Sequence, residues 1–135
     1  AKPFHELTVL ENVMMGFLTK GQSIPQAKKS ATNLLGVLDL TEQIKKTADQ
    51  LTLPDKKRLE IARALSTSPR LLLLDEVMAG LRPLEIDNLV LLLKQLKKQL
   101  NLTMIVIEHH MRAVMNFCDK VVVLHQGNKI AEGTP

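Results

Sequence analysis

The sequence predicts an α/β fold, with a helical part followed by part of a mostly parallel sheet and its flanking helices. Three observations point to it. From Thr8 to Leu65 apolar residues recur at helical spacing. After Pro69 the period changes, and Leu71-Leu72-Leu73-Leu74 forms a continuous apolar run, the pattern of a strand buried on both faces. A second buried strand, Thr103 to Ile107, follows a long helical stretch, and strands alternating with helices imply at least some parallel pairing.

Each element carries its own signals. Thr8 and Glu11 form a capping box, in which hydroxyl and carboxylate satisfy free backbone N–H groups. Leu10, Val13, Met14, Phe17 and Leu18 then give the stripe of the first helix, and Gly21 ends it. A second helix opens near Ser23, with Pro25 in its first turn and Ala27, Ala31, Leu34 and Leu35 as its stripe. Thr41 to Asp49 reads as a short polar helix or turn. A third helix runs from about Asp55 to Leu65, with Leu59, Ala62 and Leu65 on one face. The first strand ends in Asp75-Glu76. Pro83 to Leu100 is a long helix, with Leu89, Leu92, Leu93, Leu96 and Leu100 facing inward. After the strand at Thr103 to Ile107 come a short helix, His110 to Phe117, and two strands, Lys120 to Leu124 and Lys129 to Ala131. Gln126-Gly127-Asn128 turns between them.

The composition excludes several classes. Apolar residues make up 45% and charged residues 24%, which is ordinary for a globular chain and not for a disordered tail. Apolar runs are too short for a membrane span, which needs about 20 residues. The single cysteine, Cys118, excludes an internal disulfide and a Cys-rich zinc site, and favours an intracellular chain. The net charge of +4 suits phosphate ligands or an anionic surface without requiring either. With Phe4, Phe17 and Phe117 as the aromatics, no stacking platform for nucleic acid exists.

Three segments could carry chemistry. Leu71 to Glu76 ends a buried run in two acids, and open α/β sheets bind ligands beyond the carboxyl ends of their strands. An Asp there can hold Mg²⁺, and a following Glu can polarise an attacking water. Ile105-Val106-Ile107-Glu108-His109-His110 again ends a strand in polar groups, and a His there can bond a phosphate or a catalytic carboxylate. Adjacent His side chains in an extended chain point to opposite sides, so one metal would rarely take both. Leu51 to Leu65 feeds a loop into a helix whose free N–H groups attract anions, beside Lys56, Lys57 and Arg58. Taken singly, these are a strand end with solvated acids, a His bridging surface groups and a solvated basic face.

In this order the segments resemble the ATP-binding subunit of ABC transporters, over nearly the whole chain. Phe4 to Val13 looks like the segment after that family's Q-loop, and Leu51 to Leu65 occupies its signature motif and helix. Leu71 to Glu76 looks like the Walker B strand and catalytic Glu, and Ala79-Gly80-Leu81-Arg82 falls at the D-loop. Ile107-Glu108-His109 matches the switch-His loop, and Val121 to Gly133 is similar to the closing strands. Within the family, Arg58 to Leu65, Asp75 to Leu81 and Ile107 to His109 look like the ATPases of branched-chain amino-acid importers. Lipopolysaccharide-export and urea-import ATPases share parts of the pattern.

The resemblance implies a P-loop NTPase-like (ABC ATPase) α/β fold. Residues 1–66 would be the helical subdomain with the signature helix, and 67–135 the C-terminal part of the RecA-like ATPase core. It implies Mg-ATP bound between two head-to-tail ATPase subunits, transmembrane permease subunits as further partners, and no nucleic acid. The location implied is peripheral, on the cytoplasmic side of the inner membrane. Asp75 would support Mg²⁺, Glu76 would polarise water, and His109 would contact the γ-phosphate. Thr52, Asp55, Asp75 and Gly80 are the nucleotide-binding residues it implies, with Thr52 acting on the partner's nucleotide.

The chain also departs from the family pattern. No G-x-x-x-x-G-K-[ST] phosphate loop occurs in it, and the Q-loop Gln and adenine-stacking aromatic are absent. It begins at Ala1 without an initiator Met, so the expectation is a C-terminal fragment, inactive alone, of a longer ATPase that drives import. In the signature loop Leu53 and Pro54 replace two glycines, and Pro54 has no N–H to donate. Arg82 replaces the D-loop acid or Asn, and Val77 the usual Pro. The alternative is a non-catalytic dimerisation or docking module derived from an ABC ATPase. A DNA-repair or chromosome-organising ATPase head would need coiled-coil heptads, which the chain does not contain.

Overall fold

The computed structural model describes residues 2–135. The elements follow in the order α1 (Val9–Thr19), α2 (Ile24–Val37), α3 (Leu53–Leu65), β1 (Leu71–Asp75), α4 (Pro83–Leu100), β2 (Thr103–Ile107), α5 (Met111–Phe117), β3 (Val121–His125) and β4 (Asn128–Gly133). The stretch from Thr41 to Asp49 holds two short 3-10 turns, Thr41–Gln43 and Ala48–Gln50.

Local signals place the helix starts. Thr8 caps α1: its hydroxyl accepts the Glu11 N–H at 3.2 Å, while the Glu11 carboxylate accepts the Thr8 N–H at 2.8 Å. Ser23 and Gln26 repeat this device at α2. Helix α3 begins at Leu53, two residues earlier than the apolar spacing suggests. Thr52 is extended, with φ −65° and ψ 162°, and accepts the Asp55 N–H. Pro54 then sits in the first turn, where its fixed φ suits a helix and its missing N–H breaks no intrahelical bond.

The helices close one core. Val9, Val13, Leu35, Leu38, Leu40, Leu59 and Leu93 are fully buried in it. Helix α1 meets the C-cap of α3 closely at Gly16, where an added Cβ would lie 1.8 Å from the Ser66 hydroxyl. Buried Asn12 anchors the segment ahead of α1. It accepts the Phe4 N–H at 2.8 Å and donates to the Phe4, Leu7 and Thr8 carbonyls. The Arg63 guanidinium on α3 lies 4.6 Å from the Phe4 ring centroid and donates to the Lys2 carbonyl.

β1 and β2 pair in parallel, from Leu71 opposite Thr103 to Asp75 opposite Ile107. The expectation of strands buried on both faces is corrected. β1 alternates, with Leu72 and Leu74 buried and Leu71 and Leu73 exposed, and Ile105 and Ile107 of β2 are exposed as well. Among the described residues helices cover one face of this pair and no layer covers the other, so a continuous apolar run is half exposed. Leu100, expected to face inward, is also exposed because it ends the last turn of α4. β3 and β4 form a separate antiparallel hairpin. Its two-residue loop has φ +47° at Gln126 and +78° at Gly127, both in the region that a tight hairpin turn requires.

Candidate functional site

The parallel register brings the carboxyl ends of β1 and β2 side by side. Asp75 closes β1, is exposed, and shares a cavity of about 150 Å³ with Glu60, Ile61 and Ala64 of α3. Glu76 follows with φ +47°, a left-handed conformation that is uncommon for a residue with a Cβ. Its N–H donates to the Ile107 carbonyl at 2.9 Å, which extends the strand pairing by one residue. The Glu76 carboxylate lies 3.8 Å from Nδ1 of His109, and both side chains are well exposed. The structure thus brings Asp75, Glu76 and His109 to one sheet end.

The His pair differs from expectation. The His109 and His110 rings stack, with centroids 4.5 Å apart and an interplanar angle of 29°, instead of pointing to opposite sides. The chain leaves the strand at Glu108 and turns into α5 with φ −79° and ψ 88° at His110, so strand alternation no longer holds. The two rings line an open, largely apolar cavity of about 440 Å³ with Leu81, Pro83, Ile86 and Met111.

Thr52 and Asp55 sit at the start of α3. The Thr52 hydroxyl donates to Asp55 Oδ2 at 2.8 Å and accepts the Asp55 N–H at 3.4 Å. The Lys56 N–H is engaged with the Thr52 carbonyl at 2.9 Å. Gly80 joins this end of the site: its φ is +80°, and Leu53 Cδ2 would lie 3.0 Å from a Cβ there. Leu53, one of the two residues expected to stand in place of glycines in this loop, therefore packs beside Gly80.

Residues 76–82 connect the two ends. The Ala79 N–H donates to the Glu76 carbonyl at 3.1 Å and the Leu81 N–H to the Met78 carbonyl at 3.2 Å, giving two overlapping turns. Arg82 then caps α4. Its N–H donates to Glu85 Oε2 at 2.8 Å and its guanidinium to Glu85 Oε1 at 2.6 Å. These bonds hold the Glu85 carboxyl below the usual carboxylate range and raise the Arg82 guanidinium.

Glu108 was not among the candidate site residues expected from the sequence. It is half-buried, and its Oε1 accepts the Met78 N–H at 2.8 Å. An acid between an apolar strand and a candidate His was the available signal. Among the described residues no group of three or more His, Cys, Asp or Glu side chains could hold a metal. Mg²⁺ commonly takes one or two carboxylates and completes its shell with water and phosphate oxygens, so the single exposed Asp75 carboxylate at a strand end fits it.

The model of the family described as ABC transporter matches residues 1–79. The chain is 37% identical to the Pseudomonas aeruginosa high-affinity branched-chain amino acid transport ATP-binding protein BraF, over 98% of the chain and 58% of BraF. It is 38% identical to the Lactobacillus acidophilus methionine import ATP-binding protein MetN, over 96% of the chain and 37% of MetN. The chain thus spans little more than half the length of the first of these relatives, and less of the second. Its backbone is similar to cbiO1 from Clostridium perfringens, part of the ABC transporter complex cbiONQ. The TM-score is 0.90 at 29% identity, over 98% of this chain and 53% of cbiO1.

Proposed function

The chain belongs to the ABC transporter family, and from that premise we propose that it forms part of the ATP-hydrolysing subunit of an amino-acid importer. The observation that carries the reading is the sheet end, where Glu76 and His109 face each other at 3.8 Å beyond two paired parallel strands. The reaction is in-line attack of water on the terminal phosphorus of ATP. Glu76 orients and polarises that water, and His109 donates a hydrogen bond to the γ-phosphate. Mg²⁺, held with Asp75, would neutralise charge on the phosphates. Thr52, Asp55 and Gly80 form the surface presented to the nucleotide of a second, head-to-tail subunit. Residues 1–66 act as the helical subdomain and 67–135 as the C-terminal part of the ATPase core.

The name of BraF supports branched-chain amino acids as cargo, while that of MetN points to methionine, so amino-acid import is the reading both support. Among the described residues no helix is long and apolar enough to cross a membrane. Permease subunits would therefore supply the passage, with this subunit peripheral on the cytoplasmic side. One observation favours the alternative of a non-catalytic docking module. Pro54 removes an N–H from the first turn of α3, and Leu53 covers Gly80 where a glycine loop would leave backbone open.

Glu76→Gln separates the two readings. Gln keeps the shape and loses the charge that polarises water. In the full-length protein the variant should lower ATP turnover by roughly 10² or more while leaving ATP binding intact. Turnover equal to that of the unaltered protein would remove Glu76 from the mechanism. A full-length protein with no turnover at all would favour the docking module.

A further inference from the structure

We propose that Glu108 is a positioning residue for Glu76, acting through the backbone of Met78. The proposal deepens the ATPase reading and rests on it only for its turnover measurement.

Glu76 occupies the left-handed region at φ +47°, where a residue with a Cβ stays only when its surroundings hold it. Two bonds do so. The Glu76 N–H donates to the Ile107 carbonyl at 2.9 Å, and two residues on the Met78 N–H donates to Glu108 Oε1 at 2.8 Å. Consecutive residues at the exit of β2 thus grip the backbone on either side of Val77. The Val77 and Met78 side chains are themselves buried, so the turn cannot swing outward without leaving the core. The next residue along, His109, carries the ring 3.8 Å from the Glu76 carboxylate. Ile107, Glu108 and His109 therefore set the Glu76 backbone and supply its ring partner in one short stretch.

Packing alone does not call for a carboxylate here. Glu108 Oε2 is shut off from solvent and has no hydrogen-bond donor among the described residues. A buried acceptor left without a donor is unfavourable, and a neutral side chain would avoid the burial of charge. What the position requires is an acceptor at Oε1, at the reach of a Glu or Gln side chain.

The test compares Glu108→Ala with Glu108→Gln in the full-length protein. The alanine variant should speed hydrogen exchange of the Met78 amide about tenfold and move the Glu76 backbone carbon shifts away from left-handed values. It should lower kcat for ATP about tenfold with KM unchanged, and the glutamine variant should restore exchange and kcat to within about twofold. If the alanine variant does not fold, Glu108→Asp withdraws the acceptor by one methylene and should show the same losses. Unchanged Met78 exchange or unchanged Glu76 shifts would overturn the proposal, and so would a glutamine variant as impaired as alanine. If the unaltered protein turns over no ATP, the ATPase reading fails, while the exchange rates and carbon shifts still decide the role of Glu108.

Discussion

The two ends of the candidate site hold their functional groups in opposite ways. At the start of α3 the Thr52 hydroxyl that would meet a phosphate is also the cap of its own helix, bonded to Asp55 three residues on. Local sequence builds the element and the site together. At the sheet end Glu76 is held in a left-handed conformation by a distant strand, through Ile107 and Glu108. There the site is built against local preference. Function and stability should therefore point the same way at Thr52 and opposite ways at Glu76.

Thr52→Ala is the larger test of that contrast. It removes the side-chain acceptor of the Asp55 N–H, and loss of such a cap costs about 1 kcal/mol. Denaturant unfolding should show the loss, and Thr52→Ser should recover most of it. An alanine variant as stable as the unaltered chain would mean that solvent caps α3 equally well, and the coincidence of cap and site would dissolve.

Glu76→Gly should go the other way, with a smaller effect. Glycine adopts φ +47° without a steric penalty, which relieves strain, but it also makes the unfolded chain more flexible. The balance is a gain of roughly 0.5 kcal/mol in the same unfolding measurement, together with loss of turnover. A destabilised glycine variant would show that the Glu76 side chain contributes to the fold, and the contrast with Thr52 would fail.

The same contrast explains what could be read in the sequence. Helices α1 and α4 were legible because capping pairs and apolar spacing are local, as Thr8 with Glu11 shows. That Asp75, Glu76 and His109 lie at strand ends was legible because each apolar run stops in polar residues. The start of α3 was missed by two residues because Thr52 and Pro54 read first as a loop. The one-sided burial of β1 was illegible because Leu71 and Leu73 are as apolar as the buried Leu72 and Leu74. Only the layers present around the sheet decide which of them is covered. Glu108 was illegible as a positioning group because its partner, the Met78 N–H, lies thirty positions away on the other side of α4 and belongs to a residue whose side chain points elsewhere.

The smallest expected effect concerns the segment that joins the two ends. Residues 76–82 are anchored near one end by Glu108 on the Met78 N–H and at the other by Glu85 on the Arg82 N–H. Arg82 holds the Glu85 carboxyl below its ordinary range, first through its side chain and then through its backbone N–H. The folded value is thus depressed, so the ionised carboxylate is the capping form. Its contribution is complete above the unfolded value, near 4.3, and is lost as pH falls through the folded value. Exposed pairs of this kind contribute little to stability, so the effect is best read locally. The Arg82 amide resonance should titrate with a midpoint below about 4.3, and Glu85→Gln should abolish that step. If the two anchors are independent, the Met78 amide should hold its shift through the Arg82 midpoint. Movement of both amides at one midpoint would show that the segment releases as a unit, and that the sheet end and the start of α4 are one device.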